Sequence, residues 1–156
     1  MVDRELLKRM LSGRVVVACV GNSLRGDEAA GPLVATLVGP TGRLTVIDCG
    51  ETPENYLGVI ARLKPEKVIV VDAADCGGEA GDIRIAVRRE IGGYAIPTYA
   101  PRLTTFTDYI EAQTGAETFY ITIQPENVEF GKPMGAAAAR AARDLALAIN
   151  EVMEAA

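Results

Sequence analysis

Arg14-Val-Val-Val-Ala-Cys-Val-Gly-Asn-Ser-Leu-Arg-Gly-Asp-Glu28 decides the fold. Up to Val20 it is an unbroken apolar run rich in β-branched residues. Such a run fits a strand buried on both faces, as inside a parallel sheet. The chain then breaks at Gly21, turns as far as Gly26, and opens into a helical pattern from Asp27 to Val38. Pro32 falls in the early turns of that helix, where a missing N–H is best tolerated.

Working outward, the same alternation recurs. Asp3 to Leu11 places Leu6, Leu7, Met10 and Leu11 among charges, the pattern of a short amphipathic helix. Downstream, Leu44–Asp48 reads as a second strand closed by Cys49-Gly50, and Pro53–Leu63 as a helix. Lys67–Asp72 reads as a third, buried strand, and Asp82–Val87 as a fourth with alternating polarity. Arg88–Arg102, with Gly92, Gly93, Pro97 and Pro101, has no period and reads as a loop. Thr105–Thr114 fits a helix, Thr118–Gln124 a fifth strand, and the Ala-rich stretch from Gly135 a long helix packed close to the sheet. Helices alternating with buried strands predict an α/β sheet with helices on both faces. The 156 residues predict one domain, 1–156.

Composition narrows the function. The chain is 49% hydrophobic, 24% charged and carries a net charge of −5. That balance supports a packed core and gives no electrostatic footprint for nucleic acid or an anionic membrane. Histidine is absent. This excludes Ser-His-Asp and Cys-His catalysis and every histidine-based zinc site. Cys19, Cys49 and Cys76 are odd in number, with no C-x-x-C spacing. A reducing, cytoplasmic setting is the expectation. No signal-peptide pattern or membrane-length apolar run is present.

In open α/β sheets, ligands bind beyond the carboxyl ends of the strands. Three expected strands end in acids there: the first in Asp27-Glu28, the second in Asp48, the third in Asp72 with Asp75 following. Gly21-x-x-x-x-Gly26 has the glycine spacing of a phosphate loop, but that loop continues with Lys and Ser or Thr. Here Asp27 and Glu28 stand instead. Two acids repel phosphate and favour a cation, which counts against a nucleotide-binding domain. Asp27 is either a helix cap or a member of the site. Glu28 and Asp72 are the leading ligand candidates, while Asp48 reads as part of its turn. Cys49 and Cys76 read as small buried hydrophobes or rim residues, Cys19 as core.

Four segments in series resemble the NiFe-hydrogenase maturation endopeptidases. They are Gly21–Gly31, Val46–Asn55, Val70–Ile83 and Ile123–Phe130. The branch that processes formate-hydrogenlyase-type large subunits is the most similar. The resemblance implies a three-layer fold with a twisted, mixed, five-stranded sheet between helices. It also implies a reaction, removal of the C-terminal peptide of a hydrogenase large-subunit precursor after nickel insertion. It assigns catalytic and metal-contacting roles to Glu28 and Asp72. Asn22, Asp27, Asp75 and Cys76, read from their places beside these two, are supporting candidates. The family's Thr-Thr-His segment stands here as Leu103-Thr-Thr-Phe106, so its metal-binding histidine is missing. The cofactor implied is nickel, presented by the substrate, with other divalent metals as substitutes. The partner implied is the precursor, processed by a monomer. The alternative is a non-catalytic relative that binds a metal or a metalloprotein without cleaving it.

Overall fold

The computed structural model describes residues 2–87 and 100–156. Five strands form one sheet: β1 (Val15–Val20), β2 (Leu44–Gly50), β3 (Lys67–Ala73), β4 (Ile83–Val87) and β5 (Glu117–Ile123). Their spatial order is β2-β1-β3-β5-β4. The first four in that order run parallel, and β4 pairs antiparallel with β5. This is the mixed α/β sheet expected from the resemblance.

The helices are α1 (Arg4–Met10), α2 (Ala30–Leu37), α3 (Leu57–Arg62), α4 (Ala100–Thr114) and α5 (Ala136–Ala155). Short 3-10 turns, Gly26–Ala29 and Pro53–Tyr56, lead into α2 and α3. Asp3 caps α1 by accepting the Leu6 N–H at 3.0 Å.

Strand alternation divides the core in two. Val15, Val17, Cys19, Ile69, Val71, Phe119 and Ile121 face one side with Leu7, Val34, Leu145 and Ile149 of α1, α2 and α5. Val16, Ala18, Val20, Val68, Val70 and Tyr120 face the other with Ile60 of α3 and Leu103, Phe106 and Ile110 of α4. Every residue of β1 is buried, as its apolar run demands. Ala138, Ala141, Ala142, Ala146 and Ala148 are buried on the Ala-rich helix beside Leu145, Ile149 and Met153. Small side chains there let α5 lie close against α2.

One element departs from expectation. The expected loop 88–102 lies outside the described residues only as far as 99, and α4 begins at Ala100, five residues before the expected Thr105. Pro101 is its second residue. A helix's first N–H groups have no intrahelical partner, so a proline there starts a helix rather than ending one.

Candidate active site

Strand order reverses between β1 and β3, because β1 leads outward to β2 while β3 lies on its other side. The crevice beyond the carboxyl ends of these two strands is the topological switch point of the sheet. Glu28 and Asp72 are carried by the segments that border this crevice. Glu28 is half-buried in the Gly26–Ala29 turn that follows β1 and packs against β3. Asp72, 8% exposed, is the penultimate residue of β3, in register with Thr122 of β5. By alternation its side chain shares the face of Val68 and Val70.

The supporting candidates have defined jobs. The Asn22 side chain accepts the Leu24 N–H at 2.8 Å, shaping the turn that carries Glu28. Asp27 does not cap the helix that follows it: the N-cap of α2 is Ala29, and no side chain caps that terminus. Its carboxylate instead reaches across the chain and accepts three backbone N–H groups, from Glu126 at 2.7 Å, Asn127 at 3.3 Å and Gly135 at 2.8 Å. It is 3% exposed, and these bonds are what make its burial tolerable. Because Gly135 precedes α5, Asp27 holds the start of the final helix rather than that of α2.

Asp75 is exposed and accepts from the Gly77 N–H at 3.0 Å and the Gln124 side-chain amide at 3.2 Å. The Cys76 N–H and thiol both donate to the Gln124 side-chain oxygen Oε1, at 2.7 and 3.2 Å. Gln124 was not singled out by sequence reasoning. The available signal was an amide side chain placed directly after an apolar strand, at the strand end where ligands bind.

Asp48 sits on the outer strand β2, with β1 between it and β3. It is exposed and accepts the Gly50 N–H at 3.1 Å, which agrees with a role in its turn. Leu103 and Phe106 are 1% and 4% exposed within the α3–α4 core, so both occupy packing positions. Among the described residues, no three Cys, Asp or Glu side chains converge as a metal site. Asp75 and Cys76 therefore do not complete a set of donors with the acidic pair.

The buried thiols of Cys19 and Cys49 offer no nucleophile here. Burial, reinforced by Asp48 and Glu54, pushes the Cys49 thiol up to about 12. Cys19 is pushed up further, again chiefly by burial. Both stay protonated near neutrality, and the thiol form is unreactive.

The model of the family described as "HycI: Hydrogenase maturation protease" matches residues 33–154. The chain is 38% identical over 122 residues to the hydrogenase 3 maturation protease of Escherichia coli K12, covering 76% of this chain and 78% of that one. A crystal structure of the [NiFe] hydrogenase maturation protease HycI from Thermococcus kodakarensis superposes with a TM-score of 0.82 at 33% identity. That superposition covers 96% of this chain and 99% of the other. The solution structure of the endopeptidase HycI from Escherichia coli gives 0.77 at 32% identity, over 88% and 90%. Fold and sequence lead to one assignment: the chain belongs to the HycI family of hydrogenase maturation proteases.

Proposed function

We propose that this protein is the endopeptidase that removes the C-terminal peptide of a NiFe-hydrogenase large-subunit precursor once nickel is in place. The observation that carries this reading is the family match, joined to two acids on the adjacent exits of the central strands. Glu28 and Asp72 are its catalytic and metal-contacting residues.

The chain's own donors do not fit a resident nickel ion. Histidine is absent from the sequence, and two carboxylates are hard ligands poorly matched to nickel. Nickel belongs to this reading as part of the substrate, held by the precursor's own ligands. Glu28 and Asp72 contribute oxygen contacts that recognise the loaded centre and set the scissile bond at the rim. A precursor without nickel lacks that handle and docks unproductively. At the rim, one carboxylate accepts a proton from water while the water oxygen adds to the scissile carbonyl. The C–N bond then breaks, and the amine departs with the proton that the carboxylate took from water. Three free cysteines among the described residues, with no disulfide, support a reducing, cytoplasmic setting. Processing that precedes assembly of the hydrogenase suits a monomer.

The missing histidine favours one second reading, a relative that binds the metalloprotein without cutting it. Incubating the purified chain with nickel-loaded and nickel-free precursor separates the two. Loss of the tail from the loaded precursor alone, read by mass, is the expected result. A stable complex with an intact tail supports the second reading and overturns the first.

A further inference from the structure

Glu28 sits on the turn after β1 and Asp72 near the end of β3, and a third segment grips both the first of these turns and the turn that follows Asp72. This segment, residues 124–135, carries none of the proposed catalytic residues. Toward the Glu28 turn, its backbone bonds in both directions. The Asp27 N–H donates to the Asn127 carbonyl at 2.8 Å, the Gly26 N–H to Lys132 at 3.0 Å, and the Gly131 N–H to Leu24 at 2.7 Å. Asp27 adds its three carboxylate bonds to Glu126, Asn127 and Gly135.

Toward the turn after Asp72, the grip is Gln124, 8% exposed and bonded through every polar atom it has. Its side-chain oxygen accepts from the Cys76 N–H, the Gly78 N–H at 3.2 Å and the Cys76 thiol. Its side-chain amide donates to Asp75 and to the Pro125 carbonyl, each at 3.2 Å. Its backbone N–H donates to Asp82 at 2.8 Å, and its carbonyl accepts from Gly81 at 2.9 Å.

We propose that segment 124–135 is the gauge of the active site, with Asp27 and Gln124 as positioning residues that together fix the separation of Glu28 and Asp72. This rests on the endopeptidase reading above and adds what holds its two acids at working distance. Asp27 presents only acceptors, so an amide in its place turns a donor toward N–H groups that need an acceptor. Gln124 needs both functions, an oxygen for the two N–H groups and an amide for Asp75. Glutamate there keeps the oxygen and sets a carboxylate against a carboxylate. Neither residue is asked to touch substrate. Their loss therefore displaces the reacting groups without removing them, and a displacement near 1 Å costs on the order of a hundredfold in rate.

The test uses the full-length chain and nickel-loaded precursor, with kcat and KM measured well below the unfolding temperature. Asp27→Asn and Gln124→Glu should each lower kcat at least tenfold while KM stays within about twofold. The double variant should lose no more than the worse single one, because both act on one distance. A role confined to stability moves the unfolding temperature and leaves kcat of the folded protein intact, and that result overturns the inference. Should Asp27→Asn fail to fold, Gln124→Glu decides alone, with Gln124→Asn as a milder check. Cleavage by wild type together with unaffected variants leaves the endopeptidase reading standing and sinks the gauge. A wild type that does not cleave removes both.

Discussion

The two ends of the sheet use the same device in different surroundings. At the amino end, the Glu66 carboxylate accepts the Arg14 N–H at 2.7 Å. Lys67 donates to the Ser12 carbonyl and hydroxyl at 3.1 and 2.9 Å. The Arg14 side chain bonds the Lys64 carbonyl at 2.9 Å, and Arg43 reaches Leu11 and Gly13. Charges of both signs mix there, and Glu66 is exposed. At the carboxyl end, Asp27 also accepts backbone N–H groups, but it is buried and holds three of them across a hundred residues of chain. Water can replace an exposed bond cheaply. A buried acceptor that loses its donors keeps the full desolvation penalty, about 1–3 kcal/mol for each unsatisfied group. The amino end is thus fastened in a way that tolerates change, and the carboxyl end in a way that fixes geometry.

The acids of the crevice give the largest expected effect. Glu28→Gln and Asp72→Asn should each lower precursor cleavage by roughly 10²–10⁴-fold, the range for a lost proton-transfer group. Circular dichroism and the melting transition should stay near wild type. Replacing an amino-end acid, as in Glu66→Gln, should leave turnover unchanged. Wild-type processing by either crevice variant breaks the comparison at its functional root.

Two glycines sharpen it further. Gly26 has φ +52, and a Cβ there lies 2.2 Å from the Asn127 carbonyl oxygen. Gly13 has φ +78, and a Cβ there lies 2.2 Å from a Glu66 carboxylate oxygen. The distances match and the neighbours do not. A backbone carbonyl inside a bonded loop cannot yield, whereas the end of an exposed side chain swings aside. Gly26→Ala should cost about 2–4 kcal/mol, combining left-handed strain with overpacking. Gly13→Ala should cost the strain, about 1–2 kcal/mol, with little added for the exposed Glu66–Arg14 bond, which water replaces. Urea unfolding of both measures the difference, and equal costs would show that the carboxyl end is no more rigid than the amino end.

What could be read from the sequence follows the range of the interaction. The Val-Val-Val and Val-Ile-Val-Val runs of β1 and β3 specify buried strands locally, and both formed. The placement of acids after the central strands was equally legible, because strand direction and order decide which ends face ligands. The part Asp27 plays stayed open because helix capping is a local pattern, while its actual donors lie about a hundred residues away and leave no mark on neighbouring sequence. Gln124 escaped for the same reason, since its partners at 75–78 come from another turn. The first turn of α4 was hidden by Pro101, which reads as a breaker until its position within the helix is known.

The smallest effect belongs to Glu66 and turns on the sign of its titration. The Arg14 backbone N–H, and then the Arg14 charge, hold its carboxyl below the ordinary 4.5, with a smaller contribution from Lys67. A group whose folded value is lowered binds its proton more readily when unfolded, so it stabilises the fold while ionised. That contribution is fully present above about 4.5 and is lost as the pH falls through the lowered folded value. Glu66→Gln removes the charge and keeps an acceptor for Arg14. The variant should be slightly less stable than wild type at pH 7, and the gap should close on acidification below 4.5 as wild-type Glu66 itself becomes neutral. Urea midpoints for both proteins between pH 7 and 3 measure this. A gap that persists at the acid end would mean that Glu66 acts through packing rather than charge.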